Sequence, residues 1–370
     1  MSGAIKSEER AMSGAAGTSS QAADGRAADS RTSSRTSSRS SAPVFVLGCG
    51  RSGTKFLYHT LLSGGGFAVY FAESNTFNLL GVRFGNLARR ANRRKLLDAY
   101  FKSNLFERTG LKREDIEGQV MDNCRNPGDF LRIVMGAMAR QQGVGRWAES
   151  TPLHLLNLPQ IKRVVPDALI IHIIRDGRDV AASLHRIGWI RPLRWDRSRA
   201  CLVPAIFWRW IVSKGRRYGR AMGNDYMEVH YEDVVQKPRE TLAQIGEFIG
   251  QKLDYDEIQR VGLGSVSNPN SSFRGDGKEA ETHTLGRWKN SFTAEEVRDI
   301  ESLQGELLQS TGYALSTPAE KLRPSLAVRL MGIVYPLYFD LKFWLKSKTP
   351  LARLASTGRM GVNQRDLAES

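Results

Sequence analysis

The chain has 370 residues, 41% of them hydrophobic, with 54 Lys and Arg against 38 Asp and Glu and a net charge of +16. This length suffices for one α/β domain of about 270 residues with extensions. Residues 1–42 hold only +2 of the net charge. The surplus indicates an anionic ligand and, unless the basic clusters are only solvated helix faces, an acidic partner such as a membrane surface, an anionic glycan or nucleic acid. No aromatic-rich RNA motif or zinc-finger spacing accompanies it, so nucleic acid is not expected as the main partner.

The first 42 residues differ in kind from the rest. They are rich in Ser, Arg, Ala and Gly and contain almost no large apolar side chain. Such a segment cannot offset its ordering entropy, so we expect a disordered tail over 1–42. A transit peptide is the competing interpretation, and the acidic residues argue against it. Those residues are Glu8, Glu9, Asp24 and Asp29.

The first predicted strand, over 44–48, ends abruptly in the sequence Cys49-Gly-Arg-Ser-Gly-Thr-Lys55, and a predicted helix over 54–63 follows. A buried parallel strand delivers a phosphate-binding turn in this way. Backbone N–H groups at the helix N-terminus, with cationic and hydroxyl side chains beside them, form an anion site that needs no metal. The candidate binding residues are Gly50, Arg51, Ser52, Gly53, Thr54 and Lys55.

The same loop must be compared with the ATP-binding P-loop, because Gly48 and Gly53 have the G-x-x-x-x-G spacing. A nucleoside triphosphatase continues with Lys and then Ser or Thr, which binds Mg²⁺. Here Thr54 precedes Lys55, so no Ser or Thr hydroxyl stands at the position that would bind magnesium. Besides an enzyme with a metal-independent anion site, two other functions stay open. One is a P-loop nucleotide kinase, and the other is a non-catalytic nucleotide-binding protein.

Strands and helices alternate along the chain after this loop. This order predicts a parallel sheet with helices on both faces and ligands beyond the carboxyl ends of the strands. Further strands are predicted over 67–70, 169–174 and 226–231, and further helices over 86–101, 129–142, 179–187, 200–220 and 238–249.

A second anion motif begins where the strand over 169–174 ends. Arg175 closes that strand, and Ser183 lies eight residues further on, about two helical turns. An Arg at a strand end and a Ser on the next helix would hold one phosphate from two sides. Taken alone, the run Arg-Asp-Gly-Arg-Asp over 175–179 also fits a solvated turn with ion pairs.

The C-terminal segment, 326–346, is aromatic and broken by Pro336. Its charge-free centre, 330–339, is too short to span a membrane, but flanking Lys and Arg would let it lie at a membrane interface. Packing on the domain or in a homodimer is the alternative. With no secretory signal, we predict a cytoplasmic protein, peripherally membrane-associated if the interface hypothesis holds.

Three cysteines, Cys49, Cys124 and Cys201, are widely spaced and odd in number. This pattern favours a reducing compartment and no metal cluster, so no metal is expected in the site.

Together the two motifs resemble the sulfotransferases that use 3′-phosphoadenosine 5′-phosphosulfate (PAPS), above all the branch of tyrosylprotein sulfotransferases and many bacterial sulfotransferases. Gly50–Thr54 resembles their 5′-phosphosulfate loop, and Arg175 with Ser183 their 3′-phosphate pair. The resemblance covers roughly residues 43–315. Stretches in the same order that also fit are Trp147–His154, Val229–Val235 and Gly286–Lys289.

This resemblance implies a P-loop-like parallel sheet flanked by helices on both faces. It implies a sulfotransferase domain over 43–320, between the tail and a C-terminal extension over 321–370. The implied activity is transfer of a sulfuryl group from PAPS to a hydroxyl of a glycan, a lipid or a small metabolite.

Catalytic roles follow from the same resemblance. Glu73 is the first candidate for the base, because it follows a predicted strand near the position where the branch carries its catalytic Glu. Glu149 is the second candidate, or orients the substrate. Arg51 is expected to stabilise charge on the sulfuryl group. The branch usually has Lys where this chain has Ser150, so either Lys55 restores that charge or the acceptor chemistry differs.

Arg287 and Lys289 are assigned to closure over the donor. They follow a Gly-, Ser- and Asn-rich stretch over 262–277, which is typical of a mobile loop.

Overall fold

The structure is a computed structural model, and it describes residues 39–267 and 285–349. Most of the predicted tail, the predicted loop from residue 268 onward and the extension after residue 349 lie outside the described residues.

Five parallel strands form one sheet in the order β2-β3-β1-β4-β5. The central pair is in register from Val44 opposite Leu169 to Gly48 opposite Ile173. Helices cover both faces, which confirms the predicted α/β fold. The strands are β1 Val44–Gly48, β2 Phe67–Ala68, β3 Arg146–Glu149, β4 Leu169–Ile174 and β5 Tyr226–His230.

The central strands are buried on both faces, which explains their near-continuous apolar sequences. Alternate side chains enter two separate cores. Phe45 and Ile170 belong to the larger core on one face, whereas Val46 and Ile171 belong to the smaller core on the other. This two-sided burial fixes the register of the sheet, because a one-residue slip would exchange the faces.

Twelve α-helices of six or more residues occur in the described part of the chain. They are α1 Thr54–Ser63, α2 Arg90–Tyr100, α3 Glu117–Asn123, α4 Pro127–Gln141, α5 Leu158–Val164, α6 Gly177–Ile187, α7 Leu202–Arg220, α8 Tyr231–Gln236, α9 Pro238–Ile249, α10 Tyr255–Val261, α11 Ala294–Ser310 and α12 Leu326–Lys348. Shorter turns connect them, including a π-helical turn over Thr76–Leu80.

Some elements differ from the sequence prediction, and strand β3 was not predicted. The strand expected over 67–70 is only Phe67–Ala68, and the helix expected from residue 86 begins at Arg90. The C-terminal helix is not broken at Pro336 but continues through it to Lys348. Proline removes one hydrogen bond from such a helix, and packing of the flanking side chains holds the helix together.

Both ends of the described chain pack on the sheet domain. Arg39 donates hydrogen bonds to the Phe248 carbonyl (2.6 Å) and the Asn224 carbonyl (2.7 Å), so ordered contacts begin before residue 43. Helix α12 packs against α7 and α11. Its inner face buries Tyr335 and Phe339. The first part of the C-terminal extension therefore belongs to the folded domain.

Candidate functional site

The residues of both anion motifs lie along one edge of the sheet. Because all five strands are parallel, their carboxyl ends share this edge. The loop after β1 carries Arg51, and Arg175 follows β4 directly. Glu73 lies in the segment after β2, Glu149 is the last residue of β3, and Tyr231 follows β5. The parallel sheet thus places these five residues, which come from five separate parts of the chain, at one edge.

The loop between β1 and α1 has the backbone of an anion-binding turn. Arg51 has φ 74° and Gly53 has φ 90°, both in the left-handed region. A Cβ at Gly53 would lie 2.3 Å from the Tyr231 ring, so only glycine fits. Helix α1 has no side-chain cap and no acidic residue in its first turn. The Ser52 hydroxyl is buried and has no hydrogen-bond partner among the described residues. These groups are donors available to an anion.

Arg51 connects the two motifs. Its Nε donates a hydrogen bond to Ser183 Oγ (3.1 Å), and its carbonyl accepts one from Arg175 Nη1 (3.3 Å). The guanidinium carbon lies 6.0 Å from the Trp189 ring centroid. Three residues predicted to bind the donor nucleotide are therefore in contact, although up to 132 positions separate them in sequence.

Arg175 is buried between a ring and a carboxylate. Its guanidinium lies over the Tyr231 ring (4.7 Å to the centroid), and Nη2 lies 3.5 Å from Asp179 Oδ2. The Asp179 carboxylate also accepts hydrogen bonds from the amides of Gly286 (2.9 Å) and Trp288 (3.0 Å). Burial raises the pKa of Asp179, while Arg175 and the Trp288 amide oppose the rise. This carboxylate holds the segment that carries Arg287.

Positive charge accumulates beside this pair. Burial lowers the pKa of Arg287, and the charges of Arg186 and Arg175 lower it further. Mutual repulsion of this kind is relieved when an anion lies between the cations. Sequence reasoning missed Arg186, although its position three residues after Ser183 on a helix would have indicated it. It also missed Trp189 beside Arg51.

Other predicted binding residues differ in exposure. Thr54 is buried, and Gly50 is half-buried with the Trp189 ring 3.9 Å from the position of a Cβ. Lys55 is exposed on the first turn of α1. Lys289 is exposed, with its ammonium 5.8 Å from the Trp288 ring centroid. Their roles in binding stay predictions.

The Arg-Asp-Gly-Arg-Asp run is not a solvated turn. Arg178 is buried and forms ion pairs with Asp176 (2.7 Å) and Glu301 (2.6 Å). Its guanidinium stacks 4.1 Å from the Trp288 ring centroid. The second arginine of the run therefore fastens α6 to α11, and only the first, Arg175, is left at the sheet edge.

Glu149 is 1% exposed and accepts hydrogen bonds at both oxygens. The donors are Ser74 Oγ (2.8 Å), the Thr151 hydroxyl, the Thr151 amide (3.2 Å) and His154 Nδ1 (3.0 Å). His154 Nε2 accepts from the Phe77 amide (3.2 Å), which leaves the ring proton on Nδ1. Burial acts to raise the pKa of Glu149, but His154 and the hydrogen bonds outweigh it and the pKa is lowered.

Glu73 is exposed and directly precedes this network. Its carbonyl accepts a hydrogen bond from Asn75 Nδ2 (3.2 Å), and Asn75 itself has φ 51°. Ser74 and Phe77, on either side of that turn, are both tied to the Glu149–His154 pair. The exposed carboxylate of Glu73 thus lies on a short segment that the buried carboxylate of Glu149 holds in place.

Burial raises the pKa of Cys49, Cys124 and Cys201, so these thiols stay protonated. Among residues 39–267 and 285–349, no group of three or more His, Cys, Asp or Glu side chains is placed to hold a metal ion.

Solved structures with similarity to this chain include several sulfotransferases. The sulfotransferase domain of the Synechococcus PCC 7002 olefin synthase is 19% identical, with 80% of this chain and 94% of that one covered and a TM-score of 0.40. Sulfotransferase STF9 of Mycobacterium avium is 17% identical, with 75% and 78% covered and a TM-score of 0.41. A retinol dehydratase solved with androsterone and the inactive cofactor PAP is 16% identical, with 75% and 82% covered and a TM-score of 0.34.

No curated protein matches the chain. The family model described as "Sulfotransferase family" matches residues 43–256, which is more than half of the chain. The chain therefore belongs to the sulfotransferase family.

Proposed function

We propose that this protein transfers a sulfuryl group from PAPS to a hydroxyl of its acceptor. The observation that carries the proposal is the contact between Arg51, Arg175 and Ser183 beside the uncapped N-terminus of α1. These groups offer cationic and N–H donors for two separate anionic groups on one nucleotide.

The donor brings a sulfuryl group on a phosphate leaving group, together with a 3′-phosphate. We assign the 5′ side to the loop amides and the buried Ser52 hydroxyl, which has no hydrogen-bond partner within residues 39–267 and 285–349 and is thus available for this role. We assign binding of the 3′-phosphate to Arg175, Ser183 and Arg186. Arg287 adds charge from the segment held by Asp179.

Catalysis requires removal of the acceptor's hydroxyl proton and neutralisation of the sulfuryl oxygens. Glu73 is the proposed base because its carboxylate is exposed at the sheet edge. Arg51 is the proposed partner of the sulfuryl oxygens. Glu149 is a positioning residue: both of its oxygens are occupied by donors and its pKa is lowered, which suits an anchor rather than a proton acceptor.

Lys55 is proposed to supply the charge that the resembling branch places at the position of Ser150. Lys55 is exposed beside the anion loop, whereas Ser150 is 9% exposed. This assignment keeps the positive charge at the same sheet edge while moving it to the neighbouring element.

Thermal denaturation with different nucleotides tests the proposal. A ligand that binds only the native state raises the melting temperature by mass action. We expect 3′-phosphoadenosine 5′-phosphate to stabilise the protein far more than adenosine 5′-phosphate or ATP with Mg²⁺. Ser183→Ala should remove most of the advantage of the 3′-phosphate. Ser302→Ala on α11 is the matched control, because its hydroxyl only donates to the Asp299 carbonyl.

Stronger stabilisation by ATP with Mg²⁺ than by the 3′-phosphorylated nucleotide would overturn the proposal in favour of a kinase. Stabilisation without any release of 3′-phosphoadenosine 5′-phosphate from labelled PAPS, with lipid and metabolite extracts as acceptors, would indicate a binding protein.

A further inference from the structure

Two residues that follow β5, Tyr231 and Glu232, lie beside the turn that follows β4. The two strands are parallel and are paired up to their last residues, so their continuations leave the sheet side by side. The Tyr231 ring contacts the guanidinium of Arg175, whereas the Glu232 carboxylate contacts the backbone of the next residue, Asp176. Consecutive residues after β5 thus hold consecutive residues after β4.

Both oxygens of the Glu232 carboxylate accept a hydrogen bond. Oε1 accepts from the Asp176 amide (3.0 Å), and Oε2 accepts from the Tyr313 hydroxyl (2.6 Å). Burial raises the pKa of Glu232, while the Tyr313 hydroxyl, the Asp176 amide and the charge of Arg175 oppose the rise. The carboxylate therefore joins two distant parts of the chain, the turn between β4 and α6 and the segment after α11.

The hydrogen bond to the Asp176 amide fixes the peptide that follows Arg175. Because this peptide is planar, holding its N–H also holds the carbonyl and the Cα of Arg175. Asp176 is the N-cap of α6, with its Oδ1 accepting from the Arg178 amide (2.9 Å). Glu232 therefore controls the direction in which the Arg175 side chain leaves the end of β4.

Tyr313 comes from the C-terminal part of the chain, between α11 and α12 and beyond the residues that match the family model. Its ring packs edge-on against His230, with the ring centroids 5.7 Å apart. None of the helices in the described ranges is long and apolar enough to cross a membrane, and the two that flank Tyr313 pack on the domain. The C-terminal part of the chain thus reaches the turn that carries Arg175.

We propose that Glu232, supported by Tyr313, is a positioning residue that orients Arg175 toward the 3′-phosphate of the donor. This inference rests on the proposed function, which assigns that phosphate to Arg175, Ser183 and Arg186. Glu232 acts through the backbone, because protein donors occupy both of its oxygens. A side chain that is held in its binding geometry before the ligand arrives pays less ordering entropy on binding.

The effect should be confined to ligands that carry a 3′-phosphate. Isothermal titration calorimetry of the full chain with 3′-phosphoadenosine 5′-phosphate and with adenosine 5′-phosphate measures it, since the two nucleotides differ only in that phosphate. Glu232→Ala should weaken binding of the first nucleotide roughly 10-fold, because a displaced Arg175 loses charge-assisted hydrogen bonding. Binding of the second nucleotide should stay nearly unchanged.

Tyr313→Phe tests the same pair with a smaller change that keeps the ring. It removes the hydroxyl that holds Glu232 and should weaken binding of the 3′-phosphorylated nucleotide about 3-fold. Tyr218→Phe is its control, because the Tyr218 hydroxyl accepts a surface hydrogen bond from Arg217 (3.2 Å). This control should leave the affinity for both nucleotides unchanged.

Glu232→Gln is the conservative rescue. Its carbonyl oxygen can accept from the Asp176 amide while its NH₂ donates to the Tyr313 oxygen. The Tyr313 hydroxyl can then turn to the Ile174 carbonyl, 3.5 Å away. The preference for the 3′-phosphate should therefore stay within about 2-fold of the wild type. A loss as large as that in Glu232→Ala would contradict the proposal, because the charge and not the hydrogen bonds would then be responsible.

Glu228→Ala is the control for a loss of stability without a loss of positioning. Glu228 lies on β5 itself and also accepts from two side chains, those of Arg216 (3.0 Å) and Tyr226 (3.0 Å). Its removal should lower the melting temperature and leave the ratio of the two dissociation constants unchanged. A wild-type ratio in Glu232→Ala, or a lowered ratio in Glu228→Ala, would overturn the proposal. A wild type that does not distinguish the two nucleotides would instead refute the proposed function, so the two failures are distinct.

Discussion

Replacing Glu149 with Gln distinguishes the role of Glu149 from that of Glu73, because the change is expected to affect stability as well as activity. In the wild type, Oε1 accepts from Ser74 and the Thr151 hydroxyl, and Oε2 accepts from the Thr151 amide and His154 Nδ1. A Gln side chain keeps one acceptor oxygen but turns an amide NH₂ toward two donors. The buried carboxylate's charge is lost as well.

The magnitude follows from those two lost hydrogen bonds. A hydrogen bond to a charged group contributes about 1.5–3 kcal/mol, and rotation of a hydroxyl or a change of His154 tautomer recovers part of the loss. We expect the free energy of unfolding to fall by about 2–4 kcal/mol, which corresponds to a drop in melting temperature of about 3–6 °C for a folded part of this size. Because Ser74 and Phe77 lose their anchor, turnover should fall as well.

Glu73→Gln is the matched variant, because it makes the same chemical change at an exposed carboxylate one residue from the network. It should leave the melting temperature and the stabilisation by 3′-phosphoadenosine 5′-phosphate nearly unchanged while lowering turnover by roughly 100-fold. Differential scanning fluorimetry and transfer from labelled PAPS provide both readouts. A fully active Glu73→Gln together with a stable, inactive Glu149→Gln would refute the reasoning and make Glu149 the base.

Three further outcomes are expected. Gly53→Ala should cost about 1–2 kcal/mol from backbone strain alone, and its clash with Tyr231 should abolish stabilisation by 3′-phosphoadenosine 5′-phosphate in thermal melts. Glu301→Gln removes the charge of one of the two carboxylates that pair with buried Arg178, while Asp176 still pairs with it, and should lower the free energy of unfolding by about 1.5–3 kcal/mol in urea denaturation. The pKa of Glu149 is lower in the folded state than its unfolded value of about 4.3. The ionised carboxylate therefore contributes its full stabilisation above about pH 4.3, and this contribution is lost as the pH falls through the lower, folded-state pKa. Acid denaturation followed by circular dichroism should therefore show a smaller acid-induced loss of stability in Glu149→Gln than in the wild type.

The central sheet could be predicted because its strands are buried on both faces. The bounds expected for β1 and β4, 44–48 and 169–174, are those observed. Strand β3 was missed because Arg146–Glu149 has no apolar run. Arg146 is buried nonetheless, since its guanidinium donates to the Arg39 carbonyl (2.7 Å) and lies 4.9 Å from the Phe67 ring centroid.

The anion site could be predicted only as separate motifs. Local sequence indicated Arg51, Arg175 and Ser183, but their mutual contacts depend on the order of strands in the sheet. The link between Ser74 and Glu149 spans 75 positions and joins the segment after β2 to the end of β3, so no local pattern contains it. Contacts of this kind follow from topology, which propensities and spacings do not encode.

Asp179 couples anion binding at Arg175 to the attachment of residues 286–288. Its Oδ2 is shared between Arg175 (3.5 Å) and the Gly286 amide (2.9 Å). An anion that draws Arg175 toward itself leaves that oxygen to Gly286, which strengthens the attachment of the segment bearing Arg287. Thermodynamic coupling is reciprocal, so anything that fixes residues 286–288 must tighten anion binding by the same factor. Under the proposed function, release of the nucleotide product and loosening of this segment would therefore be coupled through the Asp179 carboxylate.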